Sequence, residues 1–160
     1  MYIHLLSMNR SPSPVLPCMC ANLRRAARAV TQLYEEELRP TGLRSTQFTI
    51  LQTLSIAGNA TQGRLGELLS MDSTSLTRTL AIMSRHGWIE KRRGKDRREW
   101  RLGLSKGGEN QLNAALPYWE NAQSRLRQVF GRSQVSELTR LTNDVTNAVA
   151  GLAANQSGDA

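Results

Sequence analysis

Apolar residues along this chain fall into six helical stripes and one stretch of alternation. Over 18–39, Leu23, Ala26, Ala27, Val30, Leu33, Tyr34 and Leu38 recur at steps of three and four, one face of a helix. Pro17 suits its first position, and Pro40 with Gly42 its end. "STQFTILQTLSIAG" predicts a second helix, with Phe48, Leu51 and Leu54 inward and Gly58 closing it. "TQGRLGELLSM" predicts a third, capped by Thr61, with Leu65, Leu68 and Leu69 inward. "DSTSLTRTLAIMSRHG" predicts a fourth. Asp72 caps it, Leu76, Leu80 and Met83 form its core face, and Gly87 stops it.

From Trp88 the period changes from 3.6 to two. Trp88 and Ile89 open a strand, the Gly94 region turns, and Trp100, Leu102 and Leu104 alternate with Arg101 and Gly103. A fifth helix follows from about Lys106 to Phe130 on Leu112, Leu116, Trp119, Leu126 and Val129, with Pro117 a candidate kink. Gly131 breaks it. A sixth helix carries Val135, Leu138, Leu141, Val145, Val149 and Leu152.

The expected fold is mainly α with a small β-wing. Three short helices and a hairpin, over 43–105, have the order of a winged helix-turn-helix. Residues 18–42 and 106–154 are then helical additions to a unit complete without them. Their apolar stripes need a partner, and small residues around the last seam (Ala148, Ala150, Gly151) suit close helix packing. A second copy of the chain meets that need; the alternative is a bundle closed within one chain. Residues 1–17, with Pro12, Pro14 and Pro17, read as a flexible arm, and 155–160 as a frayed tail.

Charge sharpens this picture. The 160 residues carry a formal net charge of +8, with a sequence pI near 10.5. Such a balance draws a protein to nucleic acid or to anionic membrane. The cations gather in "KRRGKDRREWR", where seven of eleven residues are Lys or Arg, and this does not resemble an amphipathic membrane helix. Arg92, Arg93, Lys95 and Arg97 surround the turn, and their mutual repulsion is relieved by a nearby polyanion. Arg and Lys on such a tip suit the negative potential of a minor groove. The plain alternative is a solvated charged loop.

The fourth helix is the expected reader of the major groove. Ser73, Thr74, Ser75, Thr77 and Arg78 cluster in its first half, where hydroxyls and a guanidinium can bond base edges or phosphates. Taken singly, the Ser and Thr residues read equally well as capping and surface positions. His86, at the helix end, reads as a cap or a phosphate contact. Trp88, Trp100 and Trp119 read as core.

These residues resemble the MarR family of bacterial transcription regulators. The likeness rests on "TQGRLGELLSMDSTSLTRTLAIMSRHGWIEKRRGKDRREWRLGLSKGGE", with Asp96-x-Arg98 followed by a Leu-x-Leu-Ser strand, and extends from about Cys18 through the flanking helices. The resemblance implies a homodimer on a pseudo-palindromic double-stranded DNA operator. It also implies that Asp96 and Arg98 brace the wing through salt bridges, and that Trp119 lines an effector crevice beside the dimer helices. The chain departs from the family pattern at Gly107-Gly108, although Ser105 and Gly108 keep the spacing, and in its longer N-terminal arm.

Cys18 and Cys20, in "PCMCANLRR", are candidate sensors. A thiol near a helix N-terminus with Arg24 and Arg25 close by is expected to have a lowered pKa and to react readily. Within a helix, residues two apart point about 200° apart, so the pair would bond elsewhere, most simply across a dimer. In a loop, Cys-x-Cys could join a thiophilic ion site for Cu(I), Zn or arsenite. The alternative is two small hydrophobes packed at the dimer edge. Two ligands do not complete a zinc site, so no metal is expected.

No phosphate loop, metal-binding His pair or Ser-His-Asp set is present, so neither an enzyme nor a cofactor is expected. No apolar run spans a bilayer, and "MYIHLLSM" lacks preceding cations and a following cleavage site, which implies a cytoplasmic protein and no membrane partner. Two readings compete with a dimeric repressor released by a small molecule or an oxidant. One is a winged helix that docks proteins, for which so many wing cations have no use. The other is the dimerisation domain of a methyltransferase, which this chain is too short to complete.

Overall fold

The structure is a computed structural model that describes residues 14–94 and 99–156, with side chains as far as 151. It contains α1 (Met19–Leu38), α2 (Ser45–Ala57), α3 (Gln62–Leu69), α4 (Ser73–Arg85), β1 (Ile89–Arg93), β2 (Trp100–Leu104), α5 (Lys106–Phe130) and α6 (Arg132–Gln156). One 3₁₀ turn, Arg39–Thr41, follows α1 and closes on Gly42, which takes the left-handed conformation at φ 74°. Mostly helix with one two-stranded antiparallel sheet is the expected fold class.

Leu38, Ile50, Leu51, Leu54, Leu65, Leu76 and Met83 are the largest fully buried side chains. Ile89, Leu102, Leu112 and Ala115 join them, so the hairpin and the first half of α5 close over the three short helices. Each buried Leu or Ile contributes roughly 1.5–3 kcal/mol through apolar surface removed from water.

Several expectations change. Pro17 precedes the cap and is not the first helical residue; α1 starts at Met19, with Cys18 at its N-cap. The last residues of the arm are tied back. The Asn22 side chain accepts from the Leu16 N–H at 3.1 Å and donates to the Leu16 carbonyl at 2.6 Å, while Arg25 donates to the Pro14 carbonyl at 2.8 Å. Leu68 is 46% exposed, because the eight residues of α3 turn only Leu65 fully inward. The α5 helix runs uninterrupted through Pro117, and Val129, an expected anchor, is 78% exposed. The α6 helix continues through Asn155 and Gln156, where a frayed end was expected. Residues 1–13, 95–98 and 157–160 and the Leu152 side chain lie outside the described residues.

The strand pattern differs most. Trp100 is half exposed, not core, because β2 begins beyond the edge of the lobe. Gly103, expected outward, is buried: a Cβ there would lie 2.2 Å from the Asn59 Oδ1. Ala60 forms the reason for this close approach. Its N–H donates to the Leu102 carbonyl at 3.0 Å, and its carbonyl accepts from the Leu102 N–H at 2.7 Å, so the chain before α3 pairs with β2.

The apolar seam expected on the last helix is exposed. From Ser136 to Gly151 every residue of α6 is exposed, including Leu138, Leu141, Val145 and Val149. On α1, Leu38 alone among its residues is buried.

Candidate nucleic-acid interface

Three residues, Ser70-Met71-Asp72, separate α3 from α4. Ser70 takes the left-handed conformation at φ 50°, unusual for a residue with a Cβ. Its N–H donates to the Glu67 carbonyl at 3.2 Å, and that of Met71 to Gly66 at 3.0 Å, the two bonds of a Schellman closure. A Cβ on Gly66 would lie 3.3 Å from the Met71 carbonyl oxygen and 3.5 Å from Leu76. Glycine here lets the two helices approach closely. The other end of α4 closes in the same way, with Gly87 at φ 70°, Gly87 N–H to Ser84 and Trp88 N–H to Met83, both at 3.0 Å. His86 is the C-cap of α4, and its ring stacks on Trp88 with centroids 4.4 Å apart.

Asp72 caps α4 as expected: its carboxylate accepts from the Ser75 N–H at 2.8 Å. That backbone bond, helped by the Ser75 side chain, holds the Asp72 carboxyl below its ordinary pKa. Ser73, Thr74, Ser75, Thr77 and Arg78 are all exposed. Their polar groups differ in what they have left to offer. Among the described residues the hydroxyls of Ser73 and Thr74 make no hydrogen bond, and Arg78 makes no ion pair. Thr77 is committed: its hydroxyl donates to the Ser73 carbonyl at 2.6 Å and accepts from the Gln62 amide at 2.7 Å.

The hairpin pairs Ile89 with Leu104, Lys91 with Leu102, Arg92 with Arg101 and Arg93 with Trp100. Opposite residues share a face, so one face changes from apolar at buried Ile89 and partly buried Leu104 to exposed Arg93–Trp100 as the hairpin leaves the lobe. Arg92 pairs with Glu90. Arg101 pairs with Glu99 at 3.1 Å and reaches the Asn59 carbonyl at 3.4 Å, which ties the hairpin to the segment before α3. Sequence reasoning missed this brace. Its signal was a Glu and an Arg two apart, the spacing that puts two strand residues on one face. Lys95 and Arg97, and the brace expected between Asp96 and Arg98, lie outside the described residues.

Gln62 touches both α4 and the hairpin. It holds Thr77 of α4 and also lines a groove with Lys91, Trp100 and Leu102. Gln62 therefore lies between the first half of α4 and the hairpin, in a groove with both polar and apolar walls.

Away from that surface, a cavity of about 420 Å³ lies where α1, α2, α5 and the turn after α3 meet. Tyr34, Phe48, Thr49, Leu69, Met71 and Trp119 line it. Trp119 stacks on Phe48 at 6.1 Å, so it serves both core and cavity. Burial raises the Tyr34 phenol pKa against the opposing effect of Arg127. Cys18 and Cys20 are exposed, and Cys18 has extended dihedrals (φ −95°, ψ 120°), so helical geometry constrains Cys20 alone. No group of three or more metal-ligating side chains gathers among the described residues, and no described helix is long and apolar enough to cross a membrane.

A capped helix set behind a left-handed turn, with a braced basic hairpin beside it, defines a winged helix-turn-helix. The matching family profile is that of the MarR family, over residues 43–100. The chain is 32% identical over 87 residues to an uncharacterised HTH-type transcriptional regulator of Bacillus subtilis, YwoH; the match covers 54% of this chain and 64% of that protein, just under two thirds. Its structure is similar to that of the M. tuberculosis transcriptional regulator MosR in complex with DNA, with a TM-score of 0.75, 32% identity, and coverage of 84% of this chain and 98% of that one. It also shares the fold of wild-type E. coli MarR in its apo form, with a TM-score of 0.67, 23% identity, and coverage of 82% and 98%. The chain belongs to the MarR family, a family of transcriptional regulators and not of enzymes.

Proposed function

We propose that this chain is a homodimeric, sequence-specific DNA-binding transcription regulator, a repressor that a small ligand or thiol modification at Cys18 and Cys20 releases from its operator in the cytoplasm. The observation that carries the reading is the place of Gln62, whose amide holds Thr77 in the exposed Ser, Thr and Arg cluster of α4 and which lines a groove with Lys91 and Trp100 of the cationic hairpin. Ser73, Thr74, Ser75, Thr77 and Arg78 face the major groove. Arg92, Arg93, Lys95 and Arg97 supply the cations that meet phosphates or the minor groove, and Asp96 with Arg98 braces the tip.

Two copies pair through α1, α5 and α6, which covers the exposed apolar seam of α6. The two-fold axis sets the two α4 helices about one turn of DNA apart, roughly 34–36 Å, to meet a pseudo-palindrome. The cavity supports release by a ligand, because one occupant would touch α1 and α5 on one side and the α3–α4 turn on the other. Exposure of both thiols at the start of α1 supports release by oxidant.

Gel shifts at graded salt test the DNA contacts. Affinity falls steeply with salt, because each phosphate contact releases counterions. Arg78→Ala relaxes sequence preference, and Lys95→Ala or Arg97→Ala weakens binding to most duplexes. Unchanged affinity in all three variants would contradict the assignment.

A further inference from the structure

We infer that Thr77 determines specificity by presenting its methyl group to the 5-methyl of a thymine, and that Gln62 is the positioning residue that turns its hydroxyl away. The inference rests on α4 being the helix that enters the major groove. A hydroxyl has one proton to donate. That of Thr77 goes to the Ser73 carbonyl at 2.6 Å, and one of its two lone pairs accepts from the Gln62 amide at 2.7 Å. Back-bonding to the carbonyl four residues earlier is common for helical threonines, and Thr49 and Thr79 do the same. The bond from Gln62 is the distinguishing feature, since it holds the oxygen from a second helix.

Three consequences follow from chemistry. With its proton spent, Thr77 cannot donate to a phosphate oxygen, to guanine N7 or O6, or to thymine O4. What remains at this exposed position is one lone pair, which can accept only from adenine N6 or cytosine N4, and the methyl group; the major-groove feature that matches the apolar group is the thymine methyl. Ser73 and Thr74, whose hydroxyls are uncommitted among the described residues, are left to make the donor contacts.

The test uses the full-length protein and duplexes that it selects from a randomised library. Thymines of the selected half-site are replaced by uracil one at a time, which removes only the methyl group. At one position per half-site the wild type binds uracil about fourfold more weakly, the scale of one buried methyl. Thr77→Val, which keeps the methyl and loses the hydroxyl, retains that ratio. Thr77→Ser, which keeps the hydroxyl, brings it to one, and Gln62→Ala lowers it while circular dichroism stays unchanged.

If no uracil position weakens the wild type, or if Thr77→Ser keeps the ratio and Thr77→Val loses it, the inference is overturned. Selection that enriches no sequence at all would overturn the reading of α4 as well, so the two failures are distinguishable.

Discussion

The guanidinium carbon of Arg93 lies 4.1 Å from the centre of the Trp100 ring, across the last pair of the hairpin before its tip. A cation over an indole face is held there by the ring quadrupole, by about 0.5–1 kcal/mol at an exposed site. The ring fixes where one wing cation sits. Trp100→Ala is therefore expected to lower duplex affinity about two- to fivefold in fluorescence anisotropy, the same scale in Kd. Trp100→Tyr is expected to retain most of it, since the tyrosine ring also accepts a cation.

Gly108 is required by packing. A Cβ there would lie 1.9 Å from the Trp88 carbonyl oxygen, a backbone atom that cannot swing aside. Ser105, which caps α5 through the Gly108 N–H at 3.0 Å, holds the helix start against that carbonyl. At Gly107, where the chain departs from the family pattern, a Cβ would lie 2.9 Å from the Gly87 carbonyl oxygen, so that glycine has a steric cause of its own. Gly108→Ala is expected to destabilise the chain by about 1–3 kcal/mol, seen in calorimetry as a lower Tm. Gly63→Ala, in the open, is the control, with a change between zero and a gain of about 1 kcal/mol.

The sequence was most legible where periodicity and capping act locally. Asp72, Thr61 and Gly87 end helices through their own neighbours, and the 3.6-residue period of Leu76, Leu80 and Met83 faces them inward without reference to the rest of the chain. It was least legible where a distant segment decides. Gly103 is buried because Asn59 and Ala60, more than forty positions away, pair with β2. Trp100 continues a correct alternation past the edge of the core, which no periodicity marks. Thr77 was readable as an exposed hydroxyl on the fourth helix, but the chemistry it has left depends on Gln62, fifteen positions earlier. Leu138 and Val149 form a stripe that the sequence predicts and a single chain leaves uncovered.

Glu35 links the flanking helix to the lobe. Its carboxylate accepts from the Ser45 N–H and hydroxyl, both at 2.8 Å, and from Arg44 at 3.2 Å. Burial pushes this carboxyl up, but those bonds together outweigh it and hold its pKa below the ordinary 4.5. The folded chain therefore binds this proton less readily than the unfolded chain. The stabilisation is complete above the ordinary value and is lost as pH falls through the lowered one. Acid titrations followed by circular dichroism are expected to show Glu35→Gln less stable near neutral pH, with a shallower loss of stability into acid.

Mild oxidant is expected to lower operator affinity of the wild type and to leave Cys18→Ser unaffected. Anisotropy before and after treatment checks this. Identical responses in the two proteins remove Cys18 from the release mechanism.

The central claim is that two copies of this chain act together on one double helix. Light scattering of the complex with a single-site duplex tests it most directly. The account predicts two 17.8 kDa chains per duplex. A complex holding one chain, or free duplex at low salt and micromolar protein, would contradict it.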